Sequence, residues 1–386
     1  MDDTLKHLRS LNSCTLVTTG RTGSDFLQSL LDSHPEILTF NGIFDYYPFW
    51  DNSECVKSGR FDISDFLDEL IGKNIEKFKS RYDLIERKDQ LGKDFSQTID
   101  IDILKFKENF NAIIGNHEIN SRNCLLAIYG AYSSVIGQDL NKKKVFFHHI
   151  HHHQKLDRFF EDFPTTKIIS MTRDPRANIF SGVLHHKTYN PDSMDGAHQY
   201  FYIKRIFEDC SILEKYDKEY LSIKLESLGS INTVKKLAVW LGIEYHETLN
   251  RSTWAGLEWH GDRLSGNKRT GGKFSKKILQ NNWEKYLSKK DKYILNFLLN
   301  SRLKYYNYPY QKKSMVSYLI IPLFNIFPLS YEKEMLSPYY IYNKLKNKKI
   351  KLVVLNIYSY IKRIILFQKY YWKEVYNQKI SFSLLE

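Results

Sequence analysis

Cysteine is scarce and scattered. Cys14, Cys55, Cys124 and Cys210 are the only four in 386 residues, and no two stand at a spacing typical of a metal site or a disulfide framework. A disulfide-stapled secreted scaffold and a zinc ribbon are thereby excluded, and reduced thiols in a reducing compartment are expected. Proline numbers only nine, too few for a proline-rich linker or stalk. No long hydrophobic run is present either. The most apolar stretch, Met315 to Pro328, holds about 14 residues, short of the length that crosses a bilayer. Met1 to Ser13 carries charges and no apolar core of a signal peptide, so the expected location is cytoplasmic. Internal repeats and low-complexity tracts are absent, apart from a histidine run.

What is present suits a globular chain. Hydrophobic residues make up 42%, ample for one large α/β domain or two smaller ones. The formal net charge of +13 is unevenly placed: from Arg302 onward there are 15 basic and 4 acidic residues. Nucleic acid is not the expected partner, because these cations alternate with large apolar side chains. Lys344 to Lys351 and Leu352 to Tyr371, with Trp372 beyond, read as basic helices. Two readings stay open: interfacial helices lying on anionic lipid at the inner face of a membrane, or a solvated helix pair packed on the main domain.

Apolar runs alternate with helical periodicity along the first three quarters. Strands are predicted at Cys14 to Val17, Ile37 to Phe40, Val145 to Phe147, Lys167 to Met171 and Tyr220 to Leu225, with a weaker one at Ala112 to Gly115. Helices are predicted after the first strand, through much of Asp62 to Phe110, at Ser121 to Ile136, and at Ile231 to Leu241 with Gly242 as its stop. Phe44 to Trp50 reads as an aromatic loop, with lining a sugar site and filling core as its two readings. The expected fold is α/β, a doubly wound, mainly parallel, P-loop-like sheet flanked by helices, with a basic helical C-terminal extension. Its expected organisation is an α/β domain over 1–300 with a helical insertion at about 56–136, then an aromatic-rich helical region over 301–386.

Two turns carry the chemistry. Thr19-Gly20-Arg21-Thr22-Gly23-Ser24 follows the first strand and opens a helix, which gathers backbone N–H groups and a helix N-terminus toward an anion, with Arg21 as a forked cation. The loop lacks the Lys-Ser/Thr ending of nucleoside triphosphatases. A plain glycine turn is the alternative. A second strand runs into Arg173-Asp174-Pro175-Arg176, where Pro175 suits a first helical turn and Arg173 lies at the strand's carboxyl end. Ser181 follows eight positions on, roughly two helical turns, and faces the same anion.

In these two motifs the chain resembles the sulfotransferases that use 3′-phosphoadenosine-5′-phosphosulfate (PAPS), over roughly residues 14 to 290. The resemblance implies that Thr19 to Ser24 hold the 5′-phosphosulfate while Arg173 and Ser181 hold the 3′-phosphate. It also implies that a late basic glycine loop, nearest matched by Lys268, Arg269 and Gly271, closes over the nucleotide. Asp25 departs from the family's usual Thr, and a carboxylate repelled by phosphate is expected to point away from the donor. Arg21 replaces a common Lys and adds bidentate geometry.

Sulfuryl transfer to a hydroxyl needs a base, an in-line clamp and a cation at the leaving oxygen, and it needs no metal. Phe146-Phe147-His148-His149-Ile150-His151-His152-His153 ends a strand, and alternation sends His149 and His151 to one face, His148 and His152 to the other. By the resemblance, His151 is the base and His149 takes the place of a family Lys that donates to the leaving oxygen, with Lys187 or Arg21 as other cations. Glu118 is the second candidate base. A metal site and a structural role are the alternatives for the histidine run, although no Cys or Asp cluster joins it at ligand spacing. The expected activity is PAPS-dependent sulfation of a carbohydrate or glycolipid hydroxyl, with Tyr46, Tyr47, Trp50, Tyr129 and Tyr132 as a platform for sugar rings. The competing readings are a P-loop kinase and a non-catalytic, membrane-associated nucleotide- or glycan-binding protein.

Overall fold

The computed structural model describes residues 4–79, 90–189, 196–212, 216–261, 282–285, 287–376 and 384–385. A six-stranded sheet with the order β2-β3-β1-β4-β5-β8 forms its centre. The strands are β1 (Asn12–Thr18), β2 (Ile37–Leu38), β3 (Val145–His151), β4 (Lys167–Thr172), β5 (Tyr220–Lys224) and β8 (Leu384–Leu385), and every neighbouring pair is parallel. A separate two-stranded hairpin pairs β6 (Thr253–Trp254) with β7 (Leu257–Glu258). Beyond Asn12, every residue of β1 is buried, as a strand covered on both faces requires. The chain leaves β1 toward β2 and β3 on one side and resumes with β4 and β5 on the other. A switch point therefore lies at β1, and the loops after β1, β3 and β4 open on one edge.

The first helices are α1 (Thr4–Ser10), α2 (Ser24–Leu31), α3 (Tyr46–Asn52), α4 (Glu54–Lys57), α5 (Ile63–Phe78), α6 (Ile103–Ile114), α7 (Ser121–Val135) and α8 (Leu156–Asp162). Next come α9 (Pro175–Tyr189), α10 (Gly196–Ile212) and α11 (Ile231–Leu241). The C-terminal layer holds α12 (Lys289–Leu298), α13 (Asn300–Tyr305), α14 (Met315–Phe324), α15 (Ser330–Met335), α16 (Pro338–Lys346) and α17 (Ile350–Val375).

Two expectations change. Ala112 to Gly115 is the last turn of α6 rather than a strand. Asp102 caps that helix by accepting from the Lys105 N–H at 2.9 Å, and Phe106, Phe110, Ile113 and Ile114 form one buried face at helical spacing. The aromatic segment around Pro48 is not a loop over a sugar site but helix α3. Tyr46, Tyr47, Trp50, Tyr129 and Tyr132 all join one buried cluster under the sheet, none more than 9% exposed, so none offers a ring face to a ligand. Aromatic area is worth most where water is excluded, and here it builds core.

Helices α2 and α11 cover the sheet with Leu27, Leu31, Leu237 and Leu241 against Leu16, Phe147 and Ile169. Helix α11 stops at Gly242 as expected, with φ 76° and its N–H bonded to Ala238 O and Val239 O. A third cluster joins α9 and α10 to the C-terminal layer, with Phe207 against Phe367 and Tyr370. Arg363 of α17 is buried there, donating to Glu332 Oε1 at 3.0 Å and Oε2 at 2.7 Å and to Phe327 O at 3.1 Å.

Candidate active site

The turn after β1 folds on its own hydroxyls. Thr18 Oγ1 accepts from the Gly20 N–H at 3.0 Å and also pairs with the Thr22 hydroxyl. Gly20, Arg21 and Gly23 have φ of 89°, 55° and 87°, a left-handed path that costs a β-carbon-bearing residue strain at Arg21. At Gly23 a Cβ would lie 2.4 Å from Leu225 Cδ1. Gly23 stands at the N-cap of α2 and has no side chain to cap it. Thr19, Thr22 and Ser24 are buried in it.

Helices α9 and α10 clamp this turn from the other side of β4. Asn178 Nδ2 donates to Thr19 Oγ1 at 3.0 Å, and the Tyr202 hydroxyl donates to Gly20 O at 2.9 Å. Tyr202 crosses α9 at Gly182, where a Cβ would sit 2.1 Å from its ring. Arg21 Nε lies 3.4 Å from Ser181 Oγ. Burial raises the Tyr202 phenol pKa, and the positive charges of Arg21, Arg173 and Arg205 oppose that rise. Arg173 is half-buried and has no ion pair among the described residues. By contrast, Arg176 is structural: its backbone and side chain donate to Asp174 at 2.7 to 3.0 Å, and its guanidinium lies over Trp283.

The histidine run divides. His148 points into the aromatic core, stacked on Phe146 and Phe159 with Tyr129 OH at 2.7 Å from Nδ1. His149, fully buried, has Nδ1 2.8 Å from Gln28 Oε1, and its Nε2 is 3.2 Å from His151 Nδ1. Gln28 Nε2 must donate to the carbonyl of Phe40 at 2.7 Å, so its Oε1 is the atom facing His149. His149 Nδ1 therefore carries the proton, its Nε2 accepts from His151 Nδ1–H, and His151 Nε2 is left bare. That bare nitrogen opens onto the turn after β1, 3.9 Å from where a Gly20 Cβ would stand.

Strand alternation alone does not bring the two rings together. The β1–β3 register jumps between Leu16, opposite His149, and Val17, opposite His151, and His151 adopts φ 68°. This bulge re-aims the ring at an energetic cost of roughly 1–2 kcal/mol. It also turns His152 edge-on to His151, 4.6 Å between centroids, rather than onto the face of His148. Burial lowers the pKa of His148 to about 3, of His151 to about 4 and of His152 to about 3, with Asp25 opposing the shift at His151.

Two sequence assignments, His149 and Glu118, change or fall elsewhere. With both ring nitrogens engaged, His149 orients His151 and has no N–H to give a leaving oxygen. Asp25 turns toward the histidines, its Oδ1 4.0 Å from His149 Nδ1. Glu118 is not brought to this group. It is exposed between α6 and α7, accepting from Asn120 Nδ2 at 3.1 Å, and nearby Arg122 reaches Arg9 O at the amino end of β1. Lys268, Arg269 and Gly271 lie outside the described residues, as does the side chain of Lys187. Sequence reasoning missed Gln28, Asn178, Tyr202 and Arg205. Gln28 left one signal, a polar residue on the apolar face of α2. Tyr202 left none. Among the described residues, no three His, Cys, Asp or Glu side chains form a group able to hold a metal ion.

No protein family and no curated protein matches the chain. It is similar to the solved sulfotransferase domain from the Synechococcus PCC 7002 olefin synthase, at 12% identity and TM-score 0.35 over 71% of this chain and 88% of that one. It is also similar to the sulfotransferase domain from the curacin biosynthetic pathway, at 13% identity and TM-score 0.37 over 81% of this chain and 98% of that one.

Proposed function

We propose that this chain is a PAPS-dependent sulfotransferase. One observation carries the reading: the Tyr202 hydroxyl lies 2.9 Å from Gly20 O in the first turn and 3.2 Å from Asn178 O on the helix that follows Arg173, with Arg21 Nε 3.4 Å from Ser181 Oγ and the bare nitrogen of His151 facing the first turn. A nucleotide with phosphates at both ends of its ribose needs two such cationic turns side by side. When bound, that donor supplies an activated sulfuryl group whose S–O bond electrons leave with the 5′-phosphate.

The chain's own groups divide the work. Arg21 and the first N–H groups of α2 hold the 5′ end and neutralise charge there. Arg173 and Ser181 hold the 3′-phosphate, and Lys268, Arg269 and Gly271, outside the described residues, are further candidates for binding the nucleotide. His151 Nε2 takes the proton of the acceptor hydroxyl as its oxygen attacks sulfur. His149 and Gln28 keep His151 in the tautomer that can do so. For the acceptor we propose a hydroxyl on a carbohydrate or glycolipid, at the cytoplasmic side of a membrane. The outward apolar face of the C-terminal helices favours a lipid-linked one.

The test has two arms. 3′-Phosphoadenosine-5′-phosphate should raise the melting temperature and ATP should not; the reverse result would indicate a kinase. Radiolabelled sulfate should pass from PAPS to a member of a panel of oligosaccharides and lipid-linked glycans, and His151→Ala should abolish transfer with nucleotide binding kept. Nucleotide binding without transfer to any acceptor, or hydrolysis of PAPS, would leave a binding protein instead.

A further inference from the structure

Helix α17 buries one side and turns a second apolar side to solvent. Its buried side includes Val353, Arg363, Leu366, Phe367 and Tyr370. Ile350, Val354, Ile357, Ile361, Ile365 and Trp372 lie opposite, 43% to 63% exposed. At 3.6 residues per turn they fall within an arc of about 80°. Lys351, Lys362, Lys369 and Lys373 follow one edge of that arc. Helix α14 lies alongside, held by Tyr371 OH on Tyr318 O at 2.7 Å and Gln368 Nε2 on Pro322 O at 3.0 Å. It too faces outward with Met315, Leu319 and Leu323, 61% to 82% exposed.

A solvated basic helix points its lysines outward at the centre of the exposed face. Here the centre is isoleucine and the lysines form the border, the arrangement of a helix lying in a lipid interface. No described helix is long and apolar enough to cross a membrane. A second copy docked antiparallel on this face would bring the two lysine rows side by side, whereas anionic headgroups complement the row.

We propose that the outward face of α14 and α17 docks the protein on an anionic bilayer, with α17 lying in the interface plane. This stands independently of the sulfuryl-transfer reading. It reaches the site structurally through α10, which packs Phe207 on Phe367 and Tyr370 and holds Tyr202 on the phosphate turn.

The experiment is co-sedimentation of the full chain with vesicles of phosphatidylcholine alone or mixed with phosphatidylglycerol. Binding is expected to the mixed vesicles only, weakened by salt and reduced about tenfold or more in the double variant Ile361→Glu/Ile365→Glu. Leu319→Glu on the neighbouring helix repeats the test, and unchanged thermal melting in either variant shows that the fold is kept. Failure of the wild type to sediment, or equal binding by the folded variants, overturns the proposal. So does a dimer by light scattering that the same variants disperse, which would assign the face to a second copy.

Discussion

Gln28→Met keeps the side-chain length of residue 28 and removes both polar ends. In the native chain Gln28 donates to Phe40 O at 2.7 Å and to Thr39 Oγ1 at 3.2 Å, and accepts from His149 Nδ1 at 2.8 Å. Gln28 and His149 are both 0% exposed, so the change strands a carbonyl and a ring N–H without water to replace the lost partner. Stability should fall by roughly 1–3 kcal/mol, read from the urea midpoint. The catalytic consequence is separate. With no acceptor at Nδ1, His149 can move its proton to Nε2, and His151 then presents an N–H to the acceptor where it should present a lone pair. The bond that selects the tautomer is worth roughly 0.5–1.5 kcal/mol, or about two- to tenfold in the competent fraction of His151. The assay is kcat for radiolabelled sulfate transfer beside the Kd of 3′-phosphoadenosine-5′-phosphate by calorimetry. A fall in kcat of that size with Kd unchanged is expected. A normal kcat in a destabilised variant, or a Kd that worsens in step with kcat, refutes the relay.

Four further outcomes follow from the structure. His151 is neutral in the folded chain down to about pH 4, so the acid limb of kcat/KM should lie below the ordinary imidazole value, and Asp25→Asn, removing the field that raises this pKa, should move the limb lower still. Because burial depresses His148 to about 3 and His151 to about 4, the unfolded chain binds these protons first as pH falls. Their stabilisation should be complete above about pH 6.5 and be lost progressively on acidification, at about 1.4 kcal/mol per pKa unit, measured as urea midpoints against pH. Gly182→Ala puts a Cβ 2.1 Å from the Tyr202 ring and should cost roughly 1–3 kcal/mol while weakening nucleotide binding, as Tyr202 leaves Gly20; unchanged affinity would show that the clamp is dispensable. Glu332→Gln leaves Arg363 buried without its countercharge and should cost roughly 3–5 kcal/mol in chemical denaturation, with little change if the pair is structurally neutral.

Local chemistry was enough to read the two turns, the parallel strands and the Gly242 helix stop from the chain alone. Each depends on residues within a few positions: glycines that permit positive φ, a proline that suits a first helical turn, and an apolar run long enough for a buried strand. Sequence order also placed His149 and His151 at the end of one strand and Arg173 just past the end of the next. What tertiary structure decided was which groups meet. The aromatics near Trp50 became core because burial of ring area outweighs exposure, a choice that composition does not reveal. Ala112 to Gly115 became helix because its apolar partners, Phe106 and Phe110, lie upstream at helical spacing. The bulge that aims His151, the Gln28 partner that sets its tautomer, and Tyr202 bridging the two turns depend on contacts between segments up to 182 residues apart, which no short window of sequence contains.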